Sequence, residues 1–161
     1  MVFSVSTSEQ MQIFGQQIGA LLVAGDVVVL SGPLGAGKTT FVQGLAEQLE
    51  VQGVVTSPTF VVSRVHKPKA DGLALVHVDA YRLSSQSDLV DLDLDATKNA
   101  VFVIEWGKDF VSGVTDSWLE IDVERSQDLI DPDDAASGIR TITVTAVGDR
   151  WTDVDLAGSL T

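Results

Sequence analysis

Eight residues, Gly32-Pro33-Leu34-Gly35-Ala36-Gly37-Lys38-Thr39, constrain this chain more than any other stretch of it. They fit the pattern G-x-x-x-x-G-K-[ST] in full. Just before them lies Val27-Val28-Val29-Leu30, a continuous apolar run of the kind a parallel strand buried on both faces needs. Just after them, Phe41, Leu45 and Leu49 recur at helical spacing. Strand, loop and helix thus stand in the order a phosphate cradle requires. Glycines let main-chain N–H groups approach phosphate oxygens closely. The N-terminus of the following helix directs partial positive charge at the same anion. Lys38 supplies an ammonium for the β- and γ-phosphates, and Thr39 a hydroxyl ligand for Mg²⁺. Gly35, Ala36, Gly37, Lys38, Thr39 and Thr40 are therefore the expected nucleotide contacts. The bland alternative, a glycine-rich turn before a helix, does not account for the flanking strand and helix.

The rest of the chain supplies an α/β frame. Residues 3–5 suit a short first strand, and Ser6 with Glu9 fits a helix-capping pair. Met11, Phe14, Ile18, Leu21 and Leu22 keep helical spacing, with Gly25 as a left-handed residue past the helix end. Val54-Val55 suits a short strand. Residues 60–65 and 73–78 are strand-like and joined by a polar turn, which predicts an antiparallel hairpin. Residues 84–94 read as a helix with Asp88, Asp91 and Asp95 along one face. Val101-Phe102-Val103-Ile104 is a second buried run. Leu119, Ile121 and Val123 alternate with acids, which predicts a strand with one wet face. Ile142, Val144 and Ala146 mark its hairpin partner, with Asp131-Pro132-Asp133-Asp134 as a loop between them. The sum is a P-loop NTPase-like three-layer α/β fold with a mostly parallel central sheet and antiparallel additions. Residues 1–150 read as one domain, and residues 151–161 as a C-terminal tail of weak periodicity.

Composition narrows the function. A formal net charge of −13 repels nucleic-acid backbones at long range, so direct binding to DNA is not expected. RNA contact would need a partner to supply positive charge. A local nest of N–H groups still binds a nucleotide against such a field. The absence of cysteine excludes disulfides, thiolate metal sites and cysteine nucleophiles. No apolar run is long enough for a membrane span, and the N-terminus does not read as a signal peptide, so a cytoplasmic location is expected.

A phosphate loop also needs acids at strand ends to hold the metal and place water. Asp79 ends the run 75–78 and Glu105 ends the run 101–104. With Lys38 they form the candidate catalytic set, and the sequence leaves open which acid lies nearer the metal. For Trp106, spacing favours the core, with covering of the nucleotide as the alternative. Thr56-Ser57-Pro58-Thr59 is either a segment that senses the γ-phosphate or a plain polar turn. His66 and His77 read as strand residues rather than catalysts. No catalytic arginine is visible beside the loop, so intrinsic hydrolysis is expected to be slow.

Four segments together resemble one family. They are Gly32 to Phe41, then Thr56-Ser57-Pro58-Thr59-Phe60, then His77-Val78-Asp79-Ala80-Tyr81-Arg82-Leu83, then Ile104-Glu105-Trp106-Gly107. In order and spacing they resemble the bacterial ATPases of tRNA threonylcarbamoyladenosine biosynthesis, called TsaE or YjeE. That resemblance implies hydrolysis of Mg-ATP in support of threonylcarbamoyl transfer to the adenosine beside the anticodon. It implies a TsaB–TsaD-type partner complex, with tRNA met only indirectly. It also implies Thr39 and Glu105 as Mg²⁺ ligands, Asp79 as an essential acid near the γ-phosphate, and Trp106 beside the nucleotide. The N-terminal helix would contribute around Thr7 or Ser8. A small-molecule kinase and a nucleotide-gated binding module share the loop and remain alternatives.

Overall fold

The apolar run Val27–Leu30 lies at the middle of a seven-stranded sheet. The structure, a computed structural model, describes residues 1–58, 62–82, 99–125 and 138–160. Its strands are β1 (Val2–Val5), β2 (Val27–Ser31), β3 (Ser63–His66), β4 (Ala74–Asp79), β5 (Ala100–Glu105), β6 (Trp118–Arg125) and β7 (Arg140–Val147). They are ordered β1-β7-β6-β2-β5-β4-β3. β2 runs parallel to β5 and to β6, and β5 runs parallel to β4. The pairs β1–β7, β6–β7 and β3–β4 are antiparallel.

The pattern of apolar residues explains this order. Every residue of β4 and β5 is buried, as are the first four of β2, so these strands need cover on both faces. Helices α1 (Ser8–Leu21) and α2 (Lys38–Gln48) cover one face. There Met11, Phe14, Ile18, Phe41 and Leu45 pack with Val28, Leu30 and Val103. On the other face Val27, Val29, Phe102 and Ile104 pack with Phe110, Val111 and Val114. Fully burying one such side chain contributes about 1.5–3 kcal/mol, so this double burial dominates the fold's stability. The result is the P-loop-like α/β architecture expected from the sequence.

Several details differ from expectation. The cap of α1 is Thr7, whose hydroxyl accepts the Gln10 N–H at 3.1 Å, while Gln10 Oε1 accepts the Ser6 N–H at 2.7 Å. The capping pair is therefore displaced one residue from Ser6 and Glu9. α1 ends on extended Leu22, and the left-handed Gly25 sits in the turn into β2, not at the helix end. Val54-Val55 forms no strand. Val55 is buried and its carbonyl accepts from the Gln43 side chain of α2, so helix packing claims it before the sheet can. The hairpin β3–β4 is present, with β3 starting at Ser63. The acid-bearing face of β6 is not simply wet: Glu120 is buried and pairs with Lys108.

Residues 151–160 pack onto the main core. Trp151, Leu156 and Leu160 are buried there, and Arg150 forms a two-pronged ion pair with buried Asp26 at 2.9 Å. The expected helix 84–94 and loop 131–134 lie outside the described residues. Among the described residues no helix is long and apolar enough to cross a membrane.

Candidate functional site

Parallel strands in β2, β4 and β5 bring their C-terminal ends to one edge of the sheet, where crevices for ligands form. Asp79 and Glu105 end β4 and β5 and are register partners. The loop between β2 and α2 rises beside them. Gly37, at φ +108°, caps α2 in a left-handed conformation that a side chain rarely adopts. Gly37 offers the first N–H groups of α2 no side-chain cap, and a helix N-terminus of this kind suits an anion.

These elements enclose a cleft of about 760 Å³. Gly35, Gly37, Lys38, Thr39 and Thr40 line it from the loop, and Asp79 and Glu105 from the strand ends. Thr7, Ser8 and Met11 line it from the start of α1, and Ser57 from the segment after α2. Tyr81, Trp106 and Arg140 complete the wall. Ala36 is placed differently: its side chain is fully buried in the core, and its N–H donates to the Pro33 carbonyl at 3.2 Å.

Lys38 is buried, with its Nζ donating to the carbonyls of Gly32 and Pro33 at 2.8 and 3.1 Å. Burial pulls its pKa below the ordinary lysine value, and nearby Glu105 and Asp79 oppose that pull. The same ammonium lies 5.0 Å from the centre of the Trp106 ring, a cation–π distance. Trp106 is not a core residue. It is 38% exposed, has φ +60° and meets the exposed Tyr81 ring edge-on at 5.8 Å. Its N–H donates to Leu30, which locks the turn after β5 to β2. The Asp79 carboxylate accepts the Tyr81 N–H at 3.0 Å.

The structure thus gathers Lys38, Thr39, Asp79 and Glu105 around one cleft. Thr59, Phe60 and Leu83 of the motif segments lie outside the described residues.

A family model matches most of the chain. Residues 5–131 fit "Threonylcarbamoyl adenosine biosynthesis protein TsaE". The chain belongs to the TsaE family. A TsaE from Streptomyces coelicolor is 48% identical over 149 residues, covering 91% of this chain and 97% of that relative. One from Bacillus subtilis is 35% identical over 144 residues, covering 89% and 84%. The crystal structure of YdiB from Bacillus subtilis superposes with a TM-score of 0.71 at 30% identity, covering 94% of this chain and 88% of that one. The TsaE fold is thus supported by both sequence and structure.

Three contributors escape the sequence. His77 is fully buried and bonded to Glu105 through Nε2 at 2.8 Å. Its place within the otherwise apolar run 74–78 was the available signal. Arg140 reaches the cleft although it lies a hundred residues from the loop, because β7 runs beside β1 at the start of α1. Met11 has the helical spacing of a core residue, and it is one, yet it also lines the cleft.

Proposed function

We propose that this TsaE-family chain is a Mg-dependent ATPase that supports threonylcarbamoyladenosine formation in tRNA. One observation carries the reading: an ammonium, a hydroxyl, two carboxylates and an uncapped helix N-terminus converge on a single cleft. That set matches a triphosphate and its metal better than any other ligand class. Among the described residues no cluster of three or more His, Asp or Glu side chains forms a self-sufficient metal cage. Magnesium bound with a nucleotide needs none, because phosphate oxygens and waters fill most of its shell. The donor set therefore fits, with Thr39 and Glu105 as the protein's ligands.

In this reading the loop N–H groups and the α2 N-terminus hold the phosphates. Lys38 exchanges the Gly32 and Pro33 carbonyls for β- and γ-phosphate oxygens, which repays its burial. Mg²⁺ held by Thr39 and Glu105 would supply positive charge against that developing on the phosphates. Asp79, fixed by the Tyr81 N–H, orients water toward the γ-phosphate. Trp106 and Tyr81 shield Lys38 and the phosphates from solvent. Thr7, Ser8, Met11 and Arg140 face the nucleoside end. Pro58 accepts the Val62 N–H, and Val62 in turn accepts the Asp79 N–H at 2.8 Å, so the segment through Ser57 is coupled to the catalytic acid. That coupling lets nucleotide state reach the surface, where a TsaB–TsaD-type complex reads it. The acidic chain meets tRNA only through that partner.

The test is mass spectrometry of tRNA nucleosides from cells depleted of this protein. Threonylcarbamoyladenosine should fall, and wild-type protein but not Lys38→Ala should restore it. Unchanged nucleoside levels would overturn the reading. A labelled organic phosphate from ATP and a metabolite extract would favour a kinase instead.

A further inference from the structure

His77 is a fully buried titratable side chain that the proposed function leaves without a task. It is fully buried on β4, on the helix-facing side of the sheet between Leu75 and Asp79. Its neighbour in register on β5 is Val103, one pleat before Glu105. A leucine or valine at this position would complete the apolar layer at no polar cost. Histidine does carry such a cost. Among the described residues Nδ1 has no hydrogen-bond partner, and a buried unpaired polar atom is unfavourable. The ring is instead committed to a single bond, from Nε2 to Glu105 Oε1 at 2.8 Å. A carboxylate offers only acceptors, so Nε2 is the donor. That bond ties down Oε1 of Glu105, a residue that lines the cleft.

We propose that His77 is a positioning residue that holds the Glu105 carboxylate in the orientation needed to bind the divalent cation of the nucleotide complex. The proposal rests on the nucleotide reading given above. Hydrogen bonds to a metal-binding carboxylate fix its direction, and their loss typically weakens metal affinity 10- to 100-fold. Lys38 and the loop N–H groups do not depend on this bond. Nucleotide binding without metal should therefore be spared.

The experiment titrates Mn²⁺ into the protein–ADP complex and follows free Mn²⁺ by electron paramagnetic resonance. ADP binding in EDTA is measured in parallel by calorimetry. His77→Leu and His77→Phe both remove the bond while filling the apolar layer. Each is expected to weaken Mn²⁺ binding about 10- to 100-fold, with metal-free ADP affinity unchanged. His77→Gln, whose amide places an N–H at similar reach, should recover most of the loss. Wild-type Mn²⁺ affinity in the Leu or Phe variant overturns the proposal. So does an equal loss of metal-free ADP binding, which marks a merely structural role. If wild-type protein with ADP fails to bind Mn²⁺ at all, the nucleotide reading fails as well.

Discussion

Trp106 holds a left-handed backbone, φ +60°, that costs a non-glycine residue about 1–3 kcal/mol. The bond from its N–H to Leu30 and the contact of its ring with Lys38 hold it there. Trp151, by contrast, is buried in the core. Addition of Mg-ATP should therefore change the tryptophan fluorescence, and Trp106→Phe should abolish most of that change. An unaltered change in the variant would remove Trp106 from the site. A second residue bears on pH. Half-buried Asp122 has its pKa raised above the ordinary 3.8, first by burial and further by Glu120, while Lys108 opposes the shift. A raised carboxyl pKa means the folded state holds the proton longer than the unfolded chain does. Its stability contribution is then present below the unfolded value and is lost as pH rises through the folded one. Asp122→Asn should raise the melting temperature slightly at neutral pH, and the gain should vanish in melts run near the ordinary carboxyl pKa. A gain independent of pH would refute this. At this scale the gathering of Lys38, Thr39, Asp79 and Glu105 around one cleft was legible, because each sits at the end of an apolar run or inside a motif with a chemical reason. Arg140 and the His77–Glu105 bond were not, since both depend on strand neighbours far apart in sequence.

Helix packing decides how precisely the loop is held. α1 and α2 approach closely at Gly15 and Gly44. A methyl group at Gly44 would collide with the Gln12 carbonyl, and one at Gly15 with the Phe41 carbonyl. Backbone cannot move aside as a side chain can. Gly44→Ala should thus cost about 3 kcal/mol, the upper end of ordinary overpacking. For a chain of this size that lowers the melting temperature by roughly 6–12 °C in calorimetry. Nucleotide affinity should fall with it, because α2 begins at Lys38. A melting temperature unchanged by the substitution would contradict the close approach. The elements themselves were largely readable. Continuous apolar runs marked β2 and β5, and alternation marked β6 and β7. What periodicity did not carry was competition for a residue by another element. Val55 has strand chemistry but is claimed by Gln43, and the cap of α1 fell to Thr7 because Gln10 reaches back to Ser6.

Across the whole molecule, the C-terminal segment is part of the structural frame. Trp151 is buried beside Leu156 and Leu160, and Arg150 anchors it to Asp26 before β2. Trp151→Ala should cost about 3–5 kcal/mol, the usual range for losing a buried aromatic, as read from denaturant midpoints. Little change would mean that this segment does not support the core. Sequence pattern missed it because a few apolar residues spread over a short stretch show no period. The charge of −13 was readable directly and shapes how the molecule meets partners. Everything functional depends on the cleft holding a triphosphate with its metal. Calorimetric titration of ATP in magnesium buffer tests this most directly. A single saturable site is predicted for wild-type protein. Affinity should fall about 10- to 100-fold in Lys38→Ala, as expected for losing a charge-assisted hydrogen bond of about 1.5–3 kcal/mol. No binding by wild-type protein, or equal binding by Lys38→Ala, would contradict the account.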